Sequence, residues 1–136
     1  MQKKSSLTIS LIIPTMNRVK SLERFFKSLE KQTRIPEQII VIDASAGDET
    51  RRFCMDSTLG RKLSITYFRS PYTGLSFQNN YGILRSTGEL ILILDDDLVL
   101  YPDYVHELAS VFEKDVAHKI GAVCGVMEGV KVYPAE

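Results

Sequence analysis

Three consecutive carboxylates, Asp95, Asp96 and Asp97, stand directly after the aliphatic run Leu90-Ile91-Leu92-Ile93-Leu94. Side chains alternate along an extended strand, so Asp95 and Asp97 are expected on one face and Asp96 on the other. Two unit charges about 6 Å apart at an effective dielectric near 20 repel by about 3 kcal/mol. A cluster of this kind must keep a proton or recruit a cation. Two readings are open on spacing alone: Asp95 and Asp97 hold a cation, or the triplet is an acidic turn in which Asp96 or Asp97 caps the next helix. Other reactive side chains are sparse. His106 and His118 fall on a predicted helix and just beyond it. Cys54 and Cys124 are isolated, lack metal-ligand spacing, and read as buried thiols in a reducing compartment.

The elements that must position these groups alternate in type. Thr8 to Ile13 form a β-branched, apolar first strand that Pro14 ends, followed by a loop Pro14-Thr15-Met16-Asn17-Arg18. Asn17 is expected to cap the first helix, whose apolar stripe is Leu22, Phe25, Phe26 and Leu29. Ile39 to Ile42 form a second strand ending on Asp43. A capping-box spacing at Ser45 to Asp48 opens a second helix that Gly60 should terminate. Leu63 to Phe68 alternate loosely, as an edge strand would. A third helix is expected from about Gly74 to Ser86, with Phe77, Tyr81 and Leu84 on one face. Gly82 within it costs about 1 kcal/mol relative to alanine, which points to a close backbone approach there. The run Leu90 to Leu94 reads as a strand buried on both faces. Pro102 starts a fourth helix with Tyr104, Leu108, Val111 and Phe112 inward, and Ile120 to Met127 supply a fifth strand.

This alternation predicts an α/β, Rossmann-like fold: a mostly parallel sheet joined by right-handed crossovers, with helices on both faces. Ligands of such sheets bind beyond the carboxyl ends of the strands. The Pro14 loop, Asp43 and the acidic triplet all come from that end, which favours the cation reading over the capping one.

With 136 residues, 44% of them hydrophobic, residues 1–136 are expected to make one domain. Seventeen basic and seventeen acidic residues cancel, and no basic run suggests a nucleic-acid or anionic-membrane partner. No apolar run approaches a membrane span, and Met1 to Ser6 lead into a strand rather than an apolar signal region. A cytoplasmic protein is expected, at most peripheral to the inner face of a membrane.

Taken together these blocks resemble family 2 glycosyltransferases of the GT-A fold. Ile12-Ile13-Pro14-Thr15-Met16-Asn17-Arg18 is similar to that family's first strand and loop, and Ile40-Val41-Ile42-Asp43-Ala44-Ser45 to its second strand. Gly88 to Asp97 resembles its strand into the DxD motif, with Gly74-Leu75-Ser76 and Asn80-Tyr81-Gly82-Ile83 between. The resemblance implies an inverting, metal-dependent transfer from a nucleotide-diphosphate donor, a UDP-sugar above all, to an acceptor the sequence does not specify. It implies nucleotide-sugar contacts at Pro14, Thr15, Asn17, Arg18, Asp43, Asn80, Gly82, Asp95 and Asp96, with Asp43 accepting from the base. It implies that Asp97, with Asp95, holds Mg²⁺ or Mn²⁺. A hard cation suits carboxylate ligands and would bridge them to an anionic diphosphate that they would otherwise repel.

Two departures stand out. Where the family commonly has Ala-Arg-Asn, this chain has Gln78-Asn79-Asn80, so an arginine that would help hold the nucleotide is replaced by Asn79. Family members also usually continue beyond the fifth strand with the acceptor half and its general base, for which Glu136 and the residues before it offer no candidate. The chain is therefore expected to be the donor-binding portion, and an apolar face left uncovered would promote self-association. Two alternatives remain: a donor-binding fragment inactive by itself, and a haloacid-dehalogenase-like phosphatase with Asp95 as nucleophile. Against the phosphatase, its motif normally follows a first strand, not a fourth.

Overall fold

The computed structural model describes residues 6–129. The expectations for the extreme N-terminal residues, and for the chain up to Glu136, lie outside the described residues. Four strands, β1 (Ile9–Thr15), β2 (Gln38–Asp43), β3 (Thr66–Arg69) and β4 (Leu90–Ile93), form one sheet in the order β3-β2-β1-β4. All pairings are parallel. The helices are α1 (Val19–Leu29), α2 (Glu49–Asp56), α3 (Thr58–Lys62), α4 (Leu75–Ile83) and α5 (Tyr104–Lys114). The α/β expectation is borne out, with β1 central and β3 at an edge as the patterning indicated.

The pleat sorts the core. Leu11, Ile13, Ile39 and Val41 meet Leu22, Phe25, Phe26 and Leu29 of α1 on one face, where Ile9 and Leu90 also meet Val105 and Ala109 of α5. Ile12, Ile40 and Ile42 occupy the other face, packed with Phe68 and Tyr81. There α4 comes close enough that a Cβ on Gly82 would lie 2.5 Å from Ile12 Cγ2. The close approach inferred from this glycine is thus to the sheet.

Several local expectations are corrected. β4 is not buried on both faces: it lies at the sheet edge, and Ile91 and Ile93 are 46% and 40% exposed because α4 covers β1 and β2 instead. Ile120 to Met127 form no strand. This segment is rich in small residues of low strand propensity and runs near α5: Ile120 N donates to Asp115 Oδ2 (2.7 Å), and a Cβ on Gly125 would meet the Tyr104 hydroxyl. The second predicted helix is two helices. Ser57 breaks it in an extended conformation and caps α3 by accepting from Gly60 N (3.0 Å), so Gly60 lies inside a helix rather than after one. Arg18 rather than Asn17 occupies the N-cap of α1, because Asn17 takes a left-handed conformation (φ 56°) that delivers the chain into the helix. The third helix is shorter than expected and leaves Leu84 exposed; in α5 the fully buried apolar residues are Val105 and Ala109, while Tyr104 packs against the core as expected and Leu108, Val111 and Phe112 are half-buried. Cys54 is buried as expected, whereas Cys124 is exposed.

The turn into β4 is held by Ser10, whose hydroxyl accepts from Thr87 N (3.2 Å) and Gly88 N (2.8 Å). A Cβ on Gly88 would stand 2.5 Å from Ser10 N and 2.8 Å from Ile9 C, both backbone atoms that cannot swing aside. Gly88→Ala should therefore lower stability by about 1–3 kcal/mol, read from the urea midpoint. Gly121→Ala, with nothing within 4 Å of its added Cβ, should stay within about 0.5 kcal/mol of the parent.

Candidate functional site

At the carboxyl ends of β1 and β4 a cleft of about 320 Å³ opens between Pro14, Thr15, Met16 and Arg18 on one side and Asp95, Asp96 and Asp97 on another, with Leu75 and Gln78 of α4 completing it. The strand's alternation continues past Ile93: Asp96 is buried (3% exposed), while Asp95 and Asp97 are exposed. Asp96 faces the side of Thr15, whose hydroxyl donates to Asp96 Oδ2 (2.6 Å). Arg18 supplies the compensating cation. Its Nη1 lies 3.3 Å from Asp96 Oδ1 and 3.1 Å from Asp97 Oδ2. Hydrogen bonding to Asp96, then the charges of Asp96 and Asp97, raise the guanidinium above its ordinary range.

Gln78 shapes the cleft in a way the sequence reading missed. It is 5% exposed, and its Nε2 donates to Thr15 O (2.9 Å) and Ile42 O (2.8 Å), drawing together the carboxyl ends of β1 and β2. The available signal was its place four residues before Gly82, on the stripe of α4 that faces the sheet. Asn79 carries a further polar atom of interest: its Oδ1 is buried without a hydrogen-bond partner among the described residues. Helical spacing puts Asn79 on the same flank as Leu75, which lines the cleft.

Of the residues expected at the site, Pro14, Thr15, Arg18, Asp95, Asp96 and Asp97 line this one cleft; Asn17, Asp43, Asn80 and Gly82 do not. Asp43 has no exposed surface. Its Oδ1 accepts from the amide and hydroxyl of Ser45, and its Oδ2 from the Tyr67 hydroxyl (2.7 Å), with Arg69 Nη1 3.6 Å away. Ser45 Oγ in turn accepts from Asn17 N (2.7 Å), so Asp43 holds the loop that carries Arg18. Asn17 acts here through its backbone. Asn80 is exposed on α4, and Gly82 is the packing contact with Ile12 described above. His106 and His118 are exposed, and Glu128 accepts from the Tyr101 hydroxyl (2.7 Å).

The cleft's donors suit a hard divalent ion of a particular kind. Among the described residues no three acidic, histidine or cysteine side chains converge into a ready cage. Mg²⁺ commonly binds through one or two carboxylates plus substrate phosphates and water, and Asp95 and Asp97 offer two accessible carboxylates at the cleft. The residues present fit an ion that arrives with a phosphate ligand.

A parallel sheet with a cleft beyond its carboxyl ends is the open α/β architecture in which ligands bind at that end. The sequence signature of Glycosyl transferase family 2 matches residues 10–133, and the chain belongs to that family. It is 29% identical over 118 residues to the GalNAc(5)-diNAcBac-PP-undecaprenol beta-1,3-glucosyltransferase of Campylobacter jejuni, covering 83% of this chain and 37% of the relative. It is also 29% identical over 121 residues to the O-antigen chain rhamnosyltransferase WbaN of Salmonella anatum, covering 87% of this chain and 36% of that one. The chain thus spans little more than a third of the length of these relatives. Among solved structures, S. aureus TarS 1-349 in complex with UDP-GlcNAc superposes with a TM-score of 0.64 at 21% identity, over 79% of this chain and 31% of that one. The mannosyltransferase PcManGT of Pyrobaculum calidifontis, in complex with GDP-Man and Mn²⁺, gives 0.60 at 20%, over 79% and 32%. The structural likenesses establish a glycosyltransferase-type fold, and the family match places the chain away from the phosphatase alternative. Among the described residues no helix is long and apolar enough to cross a membrane.

The polar network around Asp43 has a consequence for pH. Burial, then the charge of Asp43, pushes the Cys54 thiol up to about 12, and burial followed by the hydrogen bond to Asp43 raises the Tyr67 phenol as well. A thiol whose folded pKa is raised stabilises the fold below its ordinary value near 8.5, and that contribution disappears as pH climbs toward the folded value. Urea stability should be flat from pH 7 to about 8.5 and fall by up to about 4 kcal/mol toward pH 12 through Cys54 alone. Cys54→Ala should lower stability at pH 7 but show a shallower alkaline decline.

Proposed function

We propose that this chain binds the donor of an inverting, metal-dependent sugar transfer, with a UDP-sugar favoured and Mg²⁺ or Mn²⁺ held by Asp97 and Asp95. The observation that carries this reading is the convergence, in one cleft, of the Pro14 loop, an arginine and two accessible carboxylates from two parallel strands. The similarity to proteins solved with UDP-GlcNAc, and with GDP-Man and Mn²⁺, supports it.

In this reading Pro14 and Thr15 lie against the nucleoside, and Asp95 and Asp97 face the diphosphate. A bound divalent ion would supply Lewis-acid stabilisation of the departing diphosphate. The chain's own residues do the rest of the work. Thr15 fixes Asp96, Asp96 fixes the strand end, and Arg18 offers positive charge to the leaving group. Asp43 acts as the buried hub that sets the loop. The chain spans little more than a third of its relatives' length, and among the described residues the cleft holds no acid besides Asp95, Asp96 and Asp97 to act as general base, so the isolated chain is expected to bind donor without transferring sugar. The site would work on the cytoplasmic side.

Titration calorimetry of UDP into the chain, with and without Mn²⁺, tests this reading. Binding should require the metal and should fall at least about tenfold in Asp97→Ala. Equally tight metal-free binding by both proteins would remove the bridging role assigned to Asp97.

A further inference from the structure

Arg18 does two things at once: it caps a helix with its backbone and neutralises carboxylates with its side chain. The backbone is fixed, since Arg18 O accepts from Leu22 N (3.0 Å) and the neighbouring Asn17 N is held by Ser45. The side chain is 56% exposed and free to turn about that fixed point. Both of its carboxylate contacts come from one nitrogen, Nη1, and both are longer than a good charge-assisted pair. Asp96 does not depend on Arg18 for its place, because Thr15 holds its other oxygen at 2.6 Å. Asp97, exposed and outward, has Arg18 as its ion-pair partner.

A guanidinium resting on Asp97 stands where a divalent ion would have to approach. The two cations repel, so the ion binds poorly while Arg18 stays. A diphosphate changes this balance, because it offers the guanidinium a doubly bonding anionic partner of better geometry than two carboxylates reached through one nitrogen. We propose that Arg18 is an internal counter-ion that holds Asp97 in the empty cleft and turns to the diphosphate when the donor arrives, so that metal and nucleotide bind as a coupled pair. This rests on the donor-site reading above and adds to it a positioning role with a thermodynamic signature. Each ligand raises the affinity of the other by the same factor, and part of that factor resides in Arg18.

The test measures Mn²⁺ affinity by electron paramagnetic resonance, with and without saturating UDP, in the parent, Arg18→Gln, Arg18→Met and Asp97→Asn. The parent should bind Mn²⁺ weakly alone and much more tightly with UDP. Both Arg18 variants should bind Mn²⁺ alone about tenfold more tightly than the parent, while the enhancement by UDP shrinks by at least about tenfold. Asp97→Asn should lose Mn²⁺ in either condition. Urea midpoints close to the parent's would show that the Arg18 variants are folded, and two different replacements separate loss of charge from an accident of one side chain. Unchanged or weaker Mn²⁺ binding in both folded Arg18 variants without UDP would overturn the counter-ion role and leave the donor-site reading standing. A gain in Mn²⁺ affinity with the UDP enhancement undiminished would overturn the turn toward diphosphate. No UDP-dependent Mn²⁺ binding in the parent would sink the donor-site reading itself.

Discussion

A carboxylate with no exposed surface must find all its partners inside the protein, and Asp43 is such a group. Leaving it unpaired would cost several kcal/mol, so the chain around it is arranged to supply donors. The Ser45 amide and hydroxyl come from the turn after β2, and the Tyr67 hydroxyl comes from β3. Arg69 adds its charge and ties that turn down through Gly47 O and Asp48. The same Ser45 hydroxyl anchors the amide of Asn17, so a requirement of β2 is transmitted to the loop after β1. The cleft wall that carries Thr15 and Arg18 is therefore set by a charge that never reaches the cleft.

The acidic triplet solves the opposite problem, that of adjacent like charges at a surface. The pleat separates them without further machinery. Asp96 turns inward to Thr15, which occupies the same face of the neighbouring strand, while its two neighbours stay in water. An edge position makes this tolerable, since Asp95 and Asp97 keep their hydration and one exposed arginine suffices to relieve the repulsion. Gln78 contributes a neutral clamp from the other layer, holding β1 and β2 at the height where the charged groups emerge.

Much of this was legible in the residues. Continuous apolar runs marked the strands, Pro14 and Asp43 marked where they end, and the same-face relation of Asp95 and Asp97 followed from period two alone. What was hidden depended on neighbours. The run Leu90 to Leu94 looks like a doubly buried strand because its residues are uniformly apolar, yet burial is decided by what lies beside and above it, and α4 sits over β1 and β2. Ile120 to Met127 has a strand's hydropathy and too many small residues to hold a ladder. Asn17 looked like a cap because asparagine favours both capping and left-handed backbone, and a single residue type cannot say which. At Asp43 the local pair of contacts from Ser45, two residues on, is the kind of turn an aspartate often makes, whereas the distant contacts that complete its burial come from Tyr67 and Arg69 on β3, up to 26 positions away.

The sheet order has a further consequence in time. β1 finds β2 after one helix, but β4 joins β1 only when Leu90 reaches Ile9, across about two thirds of the described chain. The entropy of closing a loop grows with its length, so the β1–β4 pairing is the costliest register to form and the natural last step of assembly. Thr15 and Asp96 meet only through that step. The cleft therefore hangs on the most distant strand pairing in the sheet, and a chain in which β4 has not docked on β1 would hold the β1–β2–β3 part of the core while having nowhere to put a nucleotide.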